Sequence, residues 1–256
     1  MKISLAVAGK GGTGKTTLSA MFVRALREMD ARPVLAVDAD PNSNLAEALG
    51  VEAGRPLADI REERSGSDGA PPGEIGRARA VEDEVQRAIT EEDGYDLVTM
   101  GQPEGPKCYC YVNNLLRKSL KDLTKNYRAV VLDNEAGMEH LSRRTTDDVD
   151  FLLAVMNPTQ PSFRAVKRIM TLSRNLPINV GRRVILVNRT KGQRAGAALE
   201  AEIAKLDADM ILDVPQDDAV EQAGAAGDSV FSLPEQSPAL AAVREVVETL
   251  RGQLTD

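Results

Sequence analysis

The stretch GKGGTGKTT, residues 9–17, decides the fold of this chain. It follows the apolar run ISLAVA (3–8), precedes a segment with helical periodicity, and fits the pattern G-x-x-x-x-G-K-[ST]. Glycines let such a loop curl until several backbone N–H groups point at one anion, and the N-terminus of the following helix adds its positive end. The stretch therefore predicts a phosphate-binding loop between a first strand and a first helix.

The side chains of this loop predict a nucleotide with its magnesium ion. Lys15 is expected to reach the β- and γ-phosphates, and the Thr16 hydroxyl is expected to bind Mg²⁺. The predicted nucleotide contacts in the loop are Gly9, Gly11, Gly12, Thr13, Gly14, Lys15, Thr16 and Thr17.

Short apolar runs recur along the 256 residues and alternate with segments of helical periodicity. The runs lie at 3–8, 33–38, 96–100, 128–133, 150–156, 183–188 and 210–214. The helical segments lie at about 15–29, 43–49, 111–125, 138–148, 161–175, 193–206 and 236–252. This alternation predicts one α/β domain over 1–256, a P-loop NTPase whose mostly parallel sheet has about seven or eight strands with helices on both faces.

Composition excludes several classes of protein. No run of about 20 apolar residues is present, so no membrane span is expected, and we expect a cytoplasmic protein. The net charge of −7 argues against binding nucleic acid over a broad surface. The amphipathic C-terminal segment carries Glu as well as Arg, which argues against a membrane anchor. Residues 62–80 are rich in Gly, Pro, Ser and charge and are predicted to form a surface loop.

Three aspartates follow predicted strands, where a parallel sheet binds its ligands. Asp38 and Asp40 follow the second strand, and Asp133 follows the run that ends at 133. A single aspartate at a strand end is more often a helix cap or turn residue. Three of them beside a phosphate loop predict a metal–nucleotide site, with Asp133 as the Walker B carboxylate that holds Mg²⁺ through water.

Three further positions are predicted to contact the base. Asn188 follows a strand, and its carboxamide both donates and accepts, so it can match the N6/N7 edge of adenine. A guanine site would usually carry Asp at position 191, where this chain has Lys, and so ATP is favoured over GTP. Pro215 and Gln216 are predicted to line the other side of the base.

The stretch PKCYCYVNN (106–114) contains the only two cysteines, Cys108 and Cys110. In an extended loop both side chains point the same way and can reach one ion. Two thiolates are too few for a closed metal site, and the only histidine, His140, lies 30 residues on. A twofold axis would supply four thiolates, which suit zinc, copper(I), an iron–sulfur cluster or nickel. Two reduced cysteines without a ligand are the alternative.

GKGGTGKT, with a second lysine at Lys10, resembles the deviant Walker A motif of the ATPase class that contains the Min and Par positioning proteins and nitrogenase iron protein. The resemblance implies that Lys10 crosses a dimer interface to the nucleotide of the partner subunit. It also implies that Asp40 lies in a first switch and positions the attacking water, and that Asp38 lies nearer the Mg²⁺ shell.

A narrower resemblance covers nearly the whole chain. PEGPKCYCYVNNLLR, DADPNSNL and LDNEAGMEHLSRRT resemble the nickel-insertion accessory ATPases of carbon monoxide dehydrogenase and acetyl-CoA synthase, the CooC family. That resemblance implies a homodimer that uses ATP to deliver Ni²⁺, with Zn²⁺ able to occupy the same cysteine site. Two alternatives stay open: an iron–sulfur cluster carrier or reductase, and a Min/Par-type positioning ATPase.

Overall fold

The computed structural model describes residues 2–59, 74–101, 118–134, 148–175 and 179–254. The strands in these ranges form one sheet in the spatial order β3-β4-β2-β5-β1-β6-β7-β8. Only β3 runs antiparallel to its neighbour, and the other paired strands are parallel. The strands are β1 (Ile3–Gly9), β2 (Val34–Ala39), β3 (Thr90–Glu92), β4 (Tyr95–Thr99), β5 (Ala129–Asn134), β6 (Asp148–Met156), β7 (Asn179–Thr190) and β8 (Met210–Pro215).

Helices cover both faces of the sheet, which confirms the predicted α/β fold. One core contains apolar side chains of α1, α2 and α7, and a second core on the other face contains those of α3, α4 and α5 and of the helical residues 118–124. None of the described helices combines the length and apolar character needed to cross a membrane. The helices are α1 (Lys15–Glu28), α2 (Leu45–Leu49), α3 (Glu74–Arg87), α4 (Gln160–Ser173), α5 (Ala197–Ile203), α6 (Asp218–Ala226) and α7 (Pro238–Gly252).

The central strands are buried on both faces. Every residue of β2 and β5 is buried, and β1 is buried except at Ser4, which is half-buried. Strands covered by helices on both sides need apolar residues at consecutive positions, which is why these runs are continuous rather than alternating. Since β1 pairs with β5 on one side and β6 on the other, the loop that follows β1 opens near the middle of the sheet's carboxyl edge.

The prediction of a surface loop through residue 80 is wrong at its C-terminal end. α3 begins at Glu74, and Val81 and Val85 lie one turn apart on its buried side. Glycine and proline are frequent only up to Gly73, and the residues that follow have the amphipathic pattern of a helix. Residues 60–73 lie outside the described ranges.

Other element predictions were wrong in detail. The short edge strand β3 and the helix α6 were not predicted. The helix predicted at 193–206 is shorter, because Gly196 has an extended backbone and precedes the first helical turn. Asp148, predicted to end a helix, belongs to β6, and residues 138–147 of that prediction lie outside the described ranges.

Candidate functional site

The loop after β1 has a backbone that requires glycine at two places. Gly12 and Gly14 have φ angles of 79° and 87°, in the left-handed region that favours glycine. Gly14 directly precedes α1, and a Cβ added there would lie 2.6 Å from Asn188 Nδ2. Gly9 is needed for a different reason, because a Cβ there would lie 2.5 Å from the carbonyl oxygen of Val155. A Cβ on Gly11 would meet nothing within 4 Å.

Side chains at the ends of β6 and β7 hold the carbonyl groups of this loop. Asn188 Nδ2 donates to the Thr13 carbonyl at 2.8 Å, and Asn157 Nδ2 donates to the Gly12 carbonyl at 3.4 Å. The Thr13 hydroxyl donates to the Lys10 carbonyl at 2.7 Å. The C=O and N–H of a trans peptide point in opposite directions, so binding the Thr13 carbonyl directs the Gly14 N–H away from Asn188. The loop is thus arranged to present N–H groups at the start of α1.

The two lysines of the loop differ in burial. Lys15 is 7% exposed and Lys10 is exposed, and neither forms an ion pair with any residue in the described ranges. Lys15 interacts with the charge of Asp133 only at longer range, and a buried ammonium group without a close counter-charge costs free energy. The Lys15 position therefore fits an anionic ligand such as a phosphate, and the exposed Lys10 is accessible to a second molecule.

Asp133 provides a buried oxygen that lacks a donor. The residue is 1% exposed, and its Oδ1 accepts a hydrogen bond from the Ser19 hydroxyl at 3.0 Å, whereas Oδ2 has no hydrogen-bond partner among the described residues. Burial raises the pKa of Asp133 to about 6, and the nearby Thr16 hydroxyl, the hydrogen bond from Ser19 and the charge of Lys15 oppose that rise. A carboxylate oxygen without a donor next to a threonine hydroxyl fits a hydrated Mg²⁺ ion.

Asp38 and Asp40 organise the turn that follows β2. Asp38 Oδ1 accepts from the backbone N–H of Asp40 at 3.1 Å, and Oδ2 accepts from that of Leu45 at 2.9 Å. Asp40 Oδ1 accepts from both the backbone N–H and the side-chain amide of Asn42, at 3.0 and 2.9 Å. Asp38 is thus the buried support of this turn, and the half-buried Asp40 lies at the rim of the site.

Two of the three residues predicted to contact the base line one cavity. Asn188 and Pro215 meet around a cavity of about 330 Å³ that also reaches Gly14 and Thr17. Asn188 Oδ1 accepts from the Arg189 N–H, and one of its amide hydrogens is used by Thr13. One N–H and one lone pair of that carboxamide are left for a ligand. Gln216 instead donates through Nε2 to Glu221 of α6, at 3.0 Å.

Several residues of the site were missed by sequence reasoning. Ser19 lies one helical turn after Thr16, so the spacing i, i+3 from a predicted metal ligand was the signal for its contact with Asp133. Asn157 follows β6 just as the aspartates follow their strands. Arg189 and Glu221 line the cavity, but the second belongs to a helix that was not predicted.

The cysteine site is a separate matter. Cys108 and Cys110 lie outside the described residues, as does His140. Within the described ranges, no group of three or more His, Cys, Asp or Glu side chains is arranged to hold a metal ion.

Comparison with known proteins gives a consistent assignment. Residues 5–230 match the family described as CobQ/CobB/MinD/ParA nucleotide binding domain. An uncharacterized ATP-binding protein of Methanocaldococcus jannaschii is 34% identical over 249 residues, which cover 96% of this chain and 97% of that protein. The carbon monoxide dehydrogenase accessory protein CooC of Rhodospirillum rubrum is 32% identical over 242 residues, 90% of each chain.

Solved structures share the fold. The MinD cell division protein of Aquifex aeolicus superposes with a TM-score of 0.70 at 24% identity, covering 98% of this chain and 97% of that chain. The septum site-determining protein MinD of Pyrococcus horikoshii, complexed with Mg-ADP, also gives a TM-score of 0.70, at 21% identity and with 98% of both chains covered. This chain belongs to the CobQ/CobB/MinD/ParA family of nucleotide-binding proteins and is an ATPase of the MinD/ParA class.

Proposed function

We propose that this chain is an ATP-driven metal-delivery protein. Two copies of the chain bind one nickel ion together, and each copy contributes Cys108 and Cys110. ATP binding and hydrolysis drive delivery of this ion to the active-site cluster of carbon monoxide dehydrogenase or acetyl-CoA synthase. The proposal is carried by the 32% identity, over 90% of both chains, to a carbon monoxide dehydrogenase accessory protein. The Cys-x-Cys pair, in a chain without another cysteine, supplies soft ligands for such a cargo.

The described geometry supports the ATPase part of this proposal. The Gly14 N–H and the buried Lys15 bind the phosphates, and Asn188 and Pro215 hold the adenine. Thr16 and Asp133 hold Mg²⁺, which when bound neutralises charge on the β- and γ-phosphate oxygens. Asp40 positions the water that attacks the γ-phosphorus. Lys10 of the partner subunit stabilises the charge of the transferring phosphoryl group.

The stoichiometry of the cargo site requires a dimer. Each chain supplies two thiolates, and a closed thiolate site needs four. If the two nucleotide sites and the metal site all depend on one dimer interface, then nucleotide and metal affect each other's affinity. Linkage requires that coupling to be reciprocal, so that ATP changes nickel affinity by the same factor as nickel changes ATP affinity.

A combined measurement of metal content and molar mass tests the proposal. Wild-type protein, loaded with nickel without oxygen, should elute as a dimer carrying about half an ion per chain. The variant Cys108→Ser/Cys110→Ser should lose the nickel and keep its ATP affinity. Tyr109→Phe, which changes the residue between the cysteines and leaves both thiols, is the matched control and should retain nickel.

Four results would contradict metal delivery. Nickel retained by the double cysteine variant would place the metal elsewhere, and equal nickel affinity in the empty, ADP-bound and ATP-analogue-bound states would remove the coupling. The visible absorption of an iron–sulfur cluster in anaerobically purified protein would favour a cluster carrier. ATP-dependent sedimentation with anionic vesicles or duplex DNA would favour a positioning ATPase.

A further inference from the structure

Positive charge is concentrated in one part of this acidic chain. Residues 151–199 contain no Asp or Glu, although the whole chain has a net charge of −7. The charged residues of this segment are Arg164, Lys167, Arg168, Arg174, Arg182, Arg183, Arg189, Lys191 and Arg194. The rest of the chain is therefore more acidic than its net charge indicates, and the segment stands out electrostatically.

Three of these cations form one exposed face of α4, which we call the basic face: Arg164, Lys167 and Arg168. They are separated by three and four positions, so they lie together on one side of the helix. The opposite side is buried in the second core through Phe163, Val166, Ile169 and Met170.

The basic face differs in its partners from two other cations of the segment. Arg194 pairs with Asp213 at 2.8 Å, and Arg174 pairs with Asp207. Among the residues that the structure describes, neither Arg164 nor Arg168 forms an ion pair, and Lys167 interacts with Glu202 only at longer range. The basic face is thus positive charge that the described part of the fold does not neutralise.

An apolar residue adjoins the basic face. Leu172, four positions after Arg168, is 36% exposed and is the one large hydrophobic residue classed as exposed in the described ranges. Arginine is enriched in protein–protein interfaces, and an exposed apolar side chain beside it adds apolar area that docking can bury. Nucleic-acid binding usually needs more phosphate contacts than three cations can make, and the acidic remainder of the chain would repel the polymer.

The basic face begins next to the nucleotide loop. Asn157 donates through its side chain to the Gly12 carbonyl at 3.4 Å, and its backbone N–H donates to the Ser162 hydroxyl in the first turn of α4 at 3.1 Å. One residue therefore contacts both the phosphate loop and the start of the helix. A protein bound along α4 would lie beside the loop whose ligand changes during ATP turnover.

We propose that the basic face of α4, with Leu172, docks an acidic surface of the enzyme that receives the metal. The occupant rests on the metal-delivery function proposed above, whereas the surface itself rests on charge, exposure and the absence of ion pairs. Complementary charge steers such encounters and makes them sensitive to salt, because screening shortens the range of the attraction.

The test is binding to nickel-free carbon monoxide dehydrogenase and to nickel-free acetyl-CoA synthase, measured by biolayer interferometry from low to high salt. We expect wild-type protein to bind one of them, less tightly as salt rises. The variant Arg164→Glu/Lys167→Glu/Arg168→Glu should bind at least about tenfold more weakly at low salt. Replacement of the same three residues by Gln should give an intermediate loss, and it guards against misfolding caused by new charge.

A matched control changes the same amount of charge elsewhere. Arg79, Lys118 and Arg128 are exposed cations outside the segment, and their replacement by Glu should leave binding within about threefold of wild type. Each variant should keep wild-type ATP turnover, since none of the changed residues contacts the nucleotide loop among the residues that the structure describes, and its nickel content is measured alongside.

Three results would overturn the docking proposal. The first is that wild-type protein binds neither enzyme. The second is that the basic-face variant and the control variant bind equally well. The third is that the basic-face variant loses binding to duplex DNA or anionic vesicles and keeps binding to the enzyme. The metal function is judged separately by nickel content of the cysteine variants. Nickel held by Cys108 and Cys110 in a protein that binds neither enzyme would refute the docking surface and leave the metal site standing.

Discussion

Asp38 and Asp133 lie directly opposite each other on the neighbouring parallel strands β2 and β5, and both are buried. Burial raises the pKa of Asp38 to about 7 and that of Asp133 to about 6, and the charge of Asp133 contributes to the rise at Asp38. Two buried carboxyl groups side by side repel each other when ionised. A cation bound between these carboxyl groups would relieve this repulsion at neutral pH.

Asp133→Asn should stabilise the empty protein at high pH. The folded-state pKa of Asp133 is raised above the value of the unfolded chain, so the folded state binds more protons and the free energy of unfolding falls as pH rises toward 6. Asn carries no charge to desolvate, and its amide can occupy the place of the oxygen that lacks a donor. The gain above pH 7 should be on the order of 2 kcal/mol in urea unfolding.

The pH dependence distinguishes this cause from a general effect of the substitution. The advantage of Asp133→Asn should shrink between pH 7.5 and pH 5.5, as the wild-type carboxyl group takes up a proton. Asp148→Asn, at an exposed carboxyl group, should change stability little at either pH. A stability difference that is independent of pH would contradict the buried-charge explanation.

Lys10→Ala should lower ATP turnover by a factor of about 100 or more while ATP still binds, because the proposed role of this lysine is to stabilise charge in the transition state. If it acts across a dimer, inactive chains should complement each other. In an equal mixture of Lys10→Ala and Lys15→Ala chains, half of the dimers are mixed and each has one site with both lysines. Phosphate release should then recover to about a quarter of the wild-type rate.

Concentration dependence completes that experiment. Recovered activity should rise with total protein concentration, because a larger fraction of the chains is then dimeric. Each variant assayed alone should stay inactive at every concentration. A mixture that is as inactive as its components would show that Lys10 acts within its own chain or not in turnover.

Gly14→Ala and Gly11→Ala form a matched pair in the same loop. At Gly14 the backbone is left-handed and the new methyl group would meet Asn188, so we expect a loss of about 1–2 kcal/mol in the free energy of unfolding. At Gly11 the methyl group meets nothing within 4 Å, and the loss should stay within about 0.5 kcal/mol. Equal losses in urea unfolding would contradict the described loop conformation.

Asn188→Ala should weaken ATP binding about 10- to 100-fold, because it removes the donor to the Thr13 carbonyl as well as the proposed contact to the base. Isothermal titration with ATP and with ADP measures the change. Asn157→Ala should reduce ATP affinity less. It removes the hydrogen bond to the Gly12 carbonyl, which at 3.4 Å is longer and weaker than the 2.8 Å hydrogen bond from Asn188 to the Thr13 carbonyl. An Asn188 variant with wild-type affinity would mean that the loop holds its shape without this carboxamide.

Local pattern was enough to predict much of the site. The glycine spacing of residues 9–17 specifies a loop after a strand whatever surrounds it, since only glycine adopts the φ angles of Gly12 and Gly14 without strain. Apolar runs marked seven of the strands, because strands buried on both faces must be continuously apolar. Asp133 and Asn188 could be chosen because the carboxyl ends of parallel strands share one edge.

Only the tertiary structure decided which residues distant in the chain contact each other. The sequence alone determined which residues reach the ligand edge, but not that Asp38 lies opposite Asp133 or that Asn188 holds the Thr13 carbonyl. Strand order and register set those contacts, and no local pattern encodes them. Likewise, the nine cations of 151–199 are visible in the sequence, but only packing against the sheet shows that three of them share the outward face of α4.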